Sequence, residues 1–250
     1  MKTSPVEDTD SPPRILIVEN ERGTVSNLQH KLERDIPRVI IEAAYNVADG
    51  QKKLNESCSR DWDPDALILD FKLPKDGQNA EEIGNVSLAF VRNPDMLVIH
   101  VTAWPNDPLF KQMVDASKFS SMGLRLVFPK FDNWAQEVAD ACAKHIREKN
   151  ARRIRAEYED LFGGDVETAR RARASGRRGS GPGDRSWGLK FAVFCSHAGD
   201  YWNELGEHDK ELQDLLARTF GHMEDESGRH YVGVLTEDDS TDDASEKEAR

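Results

Sequence analysis

Cysteine is scarce in this chain. Cys58, Cys142 and Cys195 lie far apart, and no CxxC pair occurs. That count excludes a disulfide framework and fits a reducing compartment. No apolar run approaches the ~18–20 residues needed for a spanning helix. The opening MKTSPVEDTDSPP also lacks the apolar core of a secretory leader. A cytoplasmic protein without a membrane anchor is expected. Positive charge is in deficit as well: 34 Lys and Arg against 46 Asp and Glu give a formal net charge of −12. Indiscriminate binding to nucleic acid or to an anionic membrane is therefore disfavoured. Charged residues of both signs make up 32% of the chain against 38% hydrophobic, and they gather at the ends and in one internal stretch. Such a distribution reads as folded units joined and flanked by disordered segments.

Between residues 14 and 147 short apolar runs alternate with helical patterns. RILIV at 14–18, RVIIEAA at 38–44, ALIL at 66–69, MLVIHV at 96–101 and LRLVF at 124–128 read as strands. Val25, Leu28, Leu32 and Ile36 fall on one helical face. Asn46 is placed to cap a second helix carrying Val47, Leu54 and Cys58. A weaker helix is expected over 79–91 with Ile83 and Phe90, another over 108–118 with Leu109, Met113 and Val114. The last, from Asp132 onward, carries Trp134, Val138, Cys142 and Ile146. Five near-continuous apolar strands with intervening helices predict an α/β fold, a doubly wound five-stranded parallel sheet covered on both faces.

Beyond that sheet the last helix continues. Ile154, Tyr158 and Leu161 extend an apolar stripe until Gly163 and Gly164, the pattern of a stalk that could pair with a second copy of the chain. Residues 168–186 hold six Arg, one Asp and many Gly and Ser, a flexible basic linker without interleaved aromatics. GLKFAVFCSH at 188–197 then reads as a strand, 201–220 as a helix and RHYVGVL at 229–235 as a second strand, a small α+β segment. FAVFCSHAGDYW faintly resembles the opening strand and loop of TIR domains, but too few residues follow for such a domain. Cys195, His197, His222 and His230 include zinc-binding residue types at a spacing that fits no compact finger. The expected organisation is thus 1–13 disordered, 14–148 the α/β domain, 149–164 a helical extension, 165–186 the linker, 187–235 a C-terminal module and 236–250 an acidic disordered tail.

In an open parallel sheet, ligands bind beyond the carboxyl ends of the strands. Here those ends carry reactive side chains: Glu19 and Asn20 after the first strand, Asp70 after the third, Thr102 after the fourth and Lys130 after the fifth. Acids from two strands can converge on a hard cation such as Mg²⁺. A hydroxyl and an ammonium opposite them can hold phosphoryl oxygens.

Taken in order, ILIVEN, LILDFKLPKDG, VIHVTA and VFPKF resemble the motifs of a bacterial response-regulator receiver domain, whose fold is flavodoxin-like. The resemblance covers residues 14 to about 147. It implies that Asp70 accepts a phosphoryl group from a histidine kinase or phosphotransfer protein. It further implies that Glu19, Asn20, Asp70 and the Lys72 main-chain carbonyl bind Mg²⁺, and that Thr102 and Lys130 stabilise the phosphoryl oxygens. The chain departs from the pattern at five points, two of them in length: the stretch between Thr102 and Lys130 is longer than usual, and the loop from Asp70 to Asp76-Gly77 is one residue short. Asn20 stands where an acid is usual, Pro129-Lys130 reverses the usual Lys-Pro, and Val127 or Leu126 replaces the switch aromatic. Two functions follow: a phospho-acceptor that controls a downstream protein partner through its C-terminal module, or a pseudo-receiver scaffold independent of phosphate. Neither makes the chain an enzyme. A nucleic-acid-binding or enzymatic C-terminal module is the lesser alternative.

Overall fold

The computed structural model describes residues 12–59, 64–71, 73–74, 81–82, 95–108, 111, 124–163 and 184–233. Expectations for 1–11, 164–183, 234–250, most of the helices at 79–91 and 108–118, and Lys72 lie outside them.

Strand β1 (Arg14–Val18) is buried at Ile15, Leu16, Ile17 and Val18, so it occupies the interior of a sheet and meets packing on both faces. Helix α1 (Arg22–Asp35) follows and buries Val25, Leu28 and Leu32. Next come β2 (Ile40–Ala44) and α2 (Val47–Ser59). The side chain of Asn46 caps α2, its Oδ1 accepting the Asp49 N–H at 2.7 Å. β3 (Ala66–Asp70) is buried throughout. After it a two-residue ribbon pairs β4 (Leu73–Pro74) antiparallel with β5 (Glu81–Glu82), so the chain at 81–82 is extended where a helix was expected. β6 (Leu97–Thr102) and β7 (Leu124–Pro129) complete the main sheet. Its order is β2-β1-β3-β6-β7, with all four pairings parallel. Pro129 is tolerated because β7 is an edge strand.

Alternation along the strands sorts their side chains into two layers. Ile15, Ile17, Ile68 and Ile99 pack with Leu28 and Leu32 of α1, and with Val138, Cys142 and Ile146 of helix α3 (Trp134–Phe162). Leu16, Val18, Leu67, Leu69 and Val98 pack on the other face with Leu54 of α2. Helices on both faces leave the strand ends as the place where polar side chains can collect.

The chain divides into two compact units between Ile146 and Arg147, inside α3. α3 ends at Gly163, whose φ of +61° suits glycine and whose N–H donates to the Glu159 carbonyl at 2.7 Å. The second unit corrects the sequence reading. The segment read as a strand is a helix, α4 (Asp184–Asp200). Phe191, Phe194, Cys195, Ala198 and Trp202 recur at spacings of three and four, which a short apolar run masks. The TIR resemblance, which required a strand there, has no structural counterpart. The expected single helix over 201–220 is broken into α5 (Trp202–His208) and α6 (Lys210–Phe220). Asp209 makes the break and caps α6 by accepting the Leu212 N–H at 3.1 Å. A hairpin of β8 (His222–Glu224) and β9 (His230–Val232) closes the unit.

The stripe on α3 has a different use from the one expected. Ile154, Tyr158 and Phe162 are buried against Phe194, Leu205, Leu212, Leu216 and Phe220 of the same chain. A homodimer through that stripe would have to strip these helices away.

Candidate functional site

Four neighbouring strands deliver one polar residue each to the carboxyl edge of the sheet. Glu19 follows β1, Asp70 ends β3, Thr102 ends β6 and Lys130 follows β7. Burial of the strands fixes these positions. β1 after Arg14 and the first four residues of β3 are apolar throughout, so their next polar side chains come at the strand ends, whereas β6 also buries His100 before Thr102.

Glu19, Asp70 and Lys130 meet. The Lys130 Nζ donates to Glu19 Oε2 at 2.5 Å and lies 3.0 Å from Asp70 Oδ1. Both carboxylates are almost completely buried, Glu19 at 1% and Asp70 at 2% exposure. Glu19 Oε1 also accepts the Glu21 N–H at 3.0 Å, and Asp70 Oδ1 accepts the Phe71 N–H at 2.9 Å. The reversed Pro129-Lys130 order does not keep the ammonium out of the pocket. Lys130 is anchored at its own N–H by the Thr102 carbonyl at 2.6 Å, and from there its side chain reaches across β6 to β3 and β1.

Thr102 is fully buried, and its Oγ1 accepts the Trp104 N–H at 2.9 Å. Its hydroxyl proton remains available to a further acceptor. Asn20 is exposed, in contrast to the neighbouring Glu19, and Lys72 is outside the described residues. Two contributors went unread in the sequence. The Phe71 main chain is a donor to Asp70. Trp134, read only as an inward helix residue, places its ring 5.9 Å from the Lys130 ammonium. A backbone donor leaves no sequence signal, and the Trp134 contact depends on the turn at 130–133 that leads into α3.

Two carboxylates and one ammonium set the electrostatics. Burial and then the Glu19 charge push the Asp70 carboxyl up to about 6, against the opposing pull of Lys130 and the Phe71 N–H. Burial alone would lower Lys130, but the charges of Asp70 and Glu19 outweigh it and hold the ammonium above its ordinary value. A carboxyl raised on folding stabilises the fold fully below its unfolded value of 3.8, and that contribution is lost as pH rises through about 6. The difference in stability between wild type and Asp70→Asn should therefore change by about 2 kcal/mol between pH 4.5 and 7.5, the wild type losing ground at the higher pH. Urea unfolding of both proteins at the two pH values measures it; parallel pH profiles would remove Asp70 as the titrating group.

No protein-family model matches the chain, and no curated protein matches it. Solved structures do. A CheY-like receiver domain protein from Methanospirillum hungatei superposes with a TM-score of 0.40 at 19% identity, over 55% of this chain and 99% of that one. The non-phosphorylated receiver domain of the stress response regulator RcsB from Escherichia coli gives 0.39 at 16%, over 53% and 92%. The Mn²⁺-bound form of response regulator Rcp1 gives 0.38 at 16%, over 52% and 91%. The first unit has the flavodoxin-like fold. Its own strand order carries that assignment, because 2-1-3-4-5 in a parallel sheet covered on both faces is the flavodoxin-like arrangement of CheY.

The donor set suits a hard divalent cation in part. Glu19 and Asp70 offer oxygen ligands from two strands, as such a cation requires. Among the described residues no three acids or histidines are already gathered for a metal, and Lys130 takes up the space between the two carboxylates. Also among the described residues, no helix is long and apolar enough to cross a membrane.

Proposed function

We propose that the first unit is a phospho-acceptor receiver and that Asp70 is the residue modified. The observation that carries this reading is the placement of Asp70. It is a buried carboxylate at the end of the central strand, 3.0 Å from an ammonium and beside a second acid. In the reaction an Asp70 carboxylate oxygen attacks phosphorus while the bond to the donor's imidazole nitrogen breaks, the electron pair leaving with the nitrogen. Lys130 then pairs with the phosphoryl oxygens instead of with Glu19, and the Thr102 hydroxyl donates to one of them. Glu19 and Asp70 would hold Mg²⁺ or a similar divalent cation, with Asn20 and the Lys72 carbonyl completing the set; the cation offsets the charge of the phosphoryl oxygens. The donor is a histidine kinase or phosphotransfer protein, and the chain is its substrate rather than an enzyme. A cytoplasmic place suits such a partner.

The two added negative charges would repack the carboxyl edge of the sheet. α3 supplies Val138, Cys142 and Ile146 to one core and Ile154, Tyr158 and Phe162 to the other, so it is the element through which the C-terminal unit, as a protein-interaction module, would respond.

A specific feature favours a second reading, the phosphate-independent scaffold. Asn20 removes one acid, and the remaining two are already satisfied by Lys130. Incubation with acetyl phosphate and Mg²⁺, followed by intact mass, separates the two. A gain of one phosphate that disappears in Asp70→Asn is the expected result. Absence of any gain, with acetyl phosphate or with a phosphorylated histidine phosphotransfer domain as donor, leaves the scaffold.

A further inference from the structure

We propose that His222 and His230 form a binding site for a divalent cation of the zinc class, closed by Glu224. The site lies on the β8–β9 hairpin and is independent of Asp70. In the antiparallel register Glu224 stands opposite His230 and His222 opposite Val232. Residues two apart on a strand share a face, so His222, Glu224 and His230 project to the same side of the hairpin.

The two imidazoles are already at ligating distance from each other. His222 Nε2 and His230 Nδ1 are 3.1 Å apart, with ring centroids at 5.2 Å. Two nitrogens bound to one tetrahedral Zn²⁺ at about 2.0–2.1 Å stand roughly 3.3 Å from each other, so little movement is needed. Without metal one nitrogen must carry the hydrogen that the other accepts. With metal that proton moves to the far nitrogen of its own ring, and both lone pairs turn to the cation.

The ring of His222 is fixed. It stacks on the buried indole of Trp202 with centroids 4.0 Å apart and planes 8° from parallel. A ligand held in place loses little freedom on binding, the role that outer contacts play in metal sites. Glu224 supplies the third donor. Its Oε2 is 3.9 Å from His230 Nδ1, and its side chain is more than half exposed and free to turn inward. No three-ligand cage stands preassembled among the described residues, so the site is a two-imidazole clamp that Glu224 completes, with water in the remaining position. Imidazole pairs select Zn²⁺, Cu²⁺ and Ni²⁺ over Mg²⁺ and Ca²⁺.

This set differs from the four residues that the sequence brought together. Cys195 Sγ lies against Gly233, and His197 pairs with Glu157 through Nδ1 at 3.1 Å, so neither belongs to the clamp.

The test uses the full chain after treatment with a chelator. Calorimetric titration with Zn²⁺ is expected to give one site per chain, weakened at least about tenfold in both His222→Gln and His230→Gln, since even an outer-shell change costs about that much. Met223→Ala, on the opposite face of the hairpin, should leave it unaltered. Cu²⁺ should quench a part of the tryptophan emission that is missing in Trp202→Phe. Wild-type ¹H–¹⁵N spectra of the imidazoles guard against variants that unfold: Zn²⁺ should shift His222 Nε2 and His230 Nδ1 ahead of the other histidines. Zn²⁺ affinity equal in wild type and both variants would overturn the proposal. So would Zn²⁺ leaving those two nitrogens unshifted.

Discussion

Lys130→Met should destabilise the first unit by about 3–5 kcal/mol at pH 7.5, because it leaves two buried carboxylates facing each other without their cation. Glu19 and Asp70 are nearly inaccessible to water, and Lys130 Nζ lies within 3.0 Å of an oxygen of each. Methionine preserves most of the stem volume, so the loss is electrostatic rather than a cavity. Two further measurements identify the cause. Lowering the pH toward 4.5 should shrink the penalty, since Asp70, already raised to about 6, takes up a proton and one of the two charges disappears. Adding Asp70→Asn to the variant should recover a large part of the loss at pH 7.5, giving a coupling energy that distant, independent sites do not show. Urea unfolding of the four proteins supplies the cycle. A loss below about 1 kcal/mol would mean that the ammonium contributes no more than an exposed ion pair.

The same three residues show why much of this site was legible in the sequence. Strands that must be apolar on both faces change character mainly where they leave the sheet, so Glu19 and Asp70 announce themselves as the first polar residues after apolar runs, and Thr102 ends a run interrupted by the buried His100. Lys130 was legible as a residue but not as a position. Reversal of Pro129 and Lys130 alters the backbone entering the loop, and only the anchor from the Thr102 carbonyl shows that the ammonium still arrives. The second unit was less legible for a physical reason of a different kind. Phe191, Ala192, Val193 and Phe194 form a run too short for periodicity to distinguish helix from strand. Reading it as a strand removed the helix that covers α3, which left the stripe of Ile154, Tyr158 and Leu161 without an intrachain partner. The stalk was a consequence of that single misreading.

The strongest test of the corrected architecture is Phe220→Ala. Phe220 is fully buried at the end of α6, and its ring centroid lies 5.3 Å from that of Phe162, 5.2 Å from Phe191 and 6.3 Å from Phe194. It therefore joins the end of α3 to α4, the contact that the strand reading could not contain. Truncating a buried phenylalanine removes its transfer energy and leaves a cavity, together about 3–5 kcal/mol. Rings of this size do not collapse into the space easily, because Phe162 and Phe194 are already packed edge to face at 5.9 Å. Leu189→Ala, on the 68%-exposed position of α4, is the matched control and should change stability by less than about 0.5 kcal/mol. Amide hydrogen exchange separates the two units: in Phe220→Ala protection should fall across α4, α6 and the second half of α3, while β1, β3 and β6 keep theirs. If protection in α4 were unchanged, the aromatic cluster would not be what holds that helix. The segment would then be held by its close approach to the hairpin, where Cys195 lies against Gly233 and Gly199 against the His230 carbonyl.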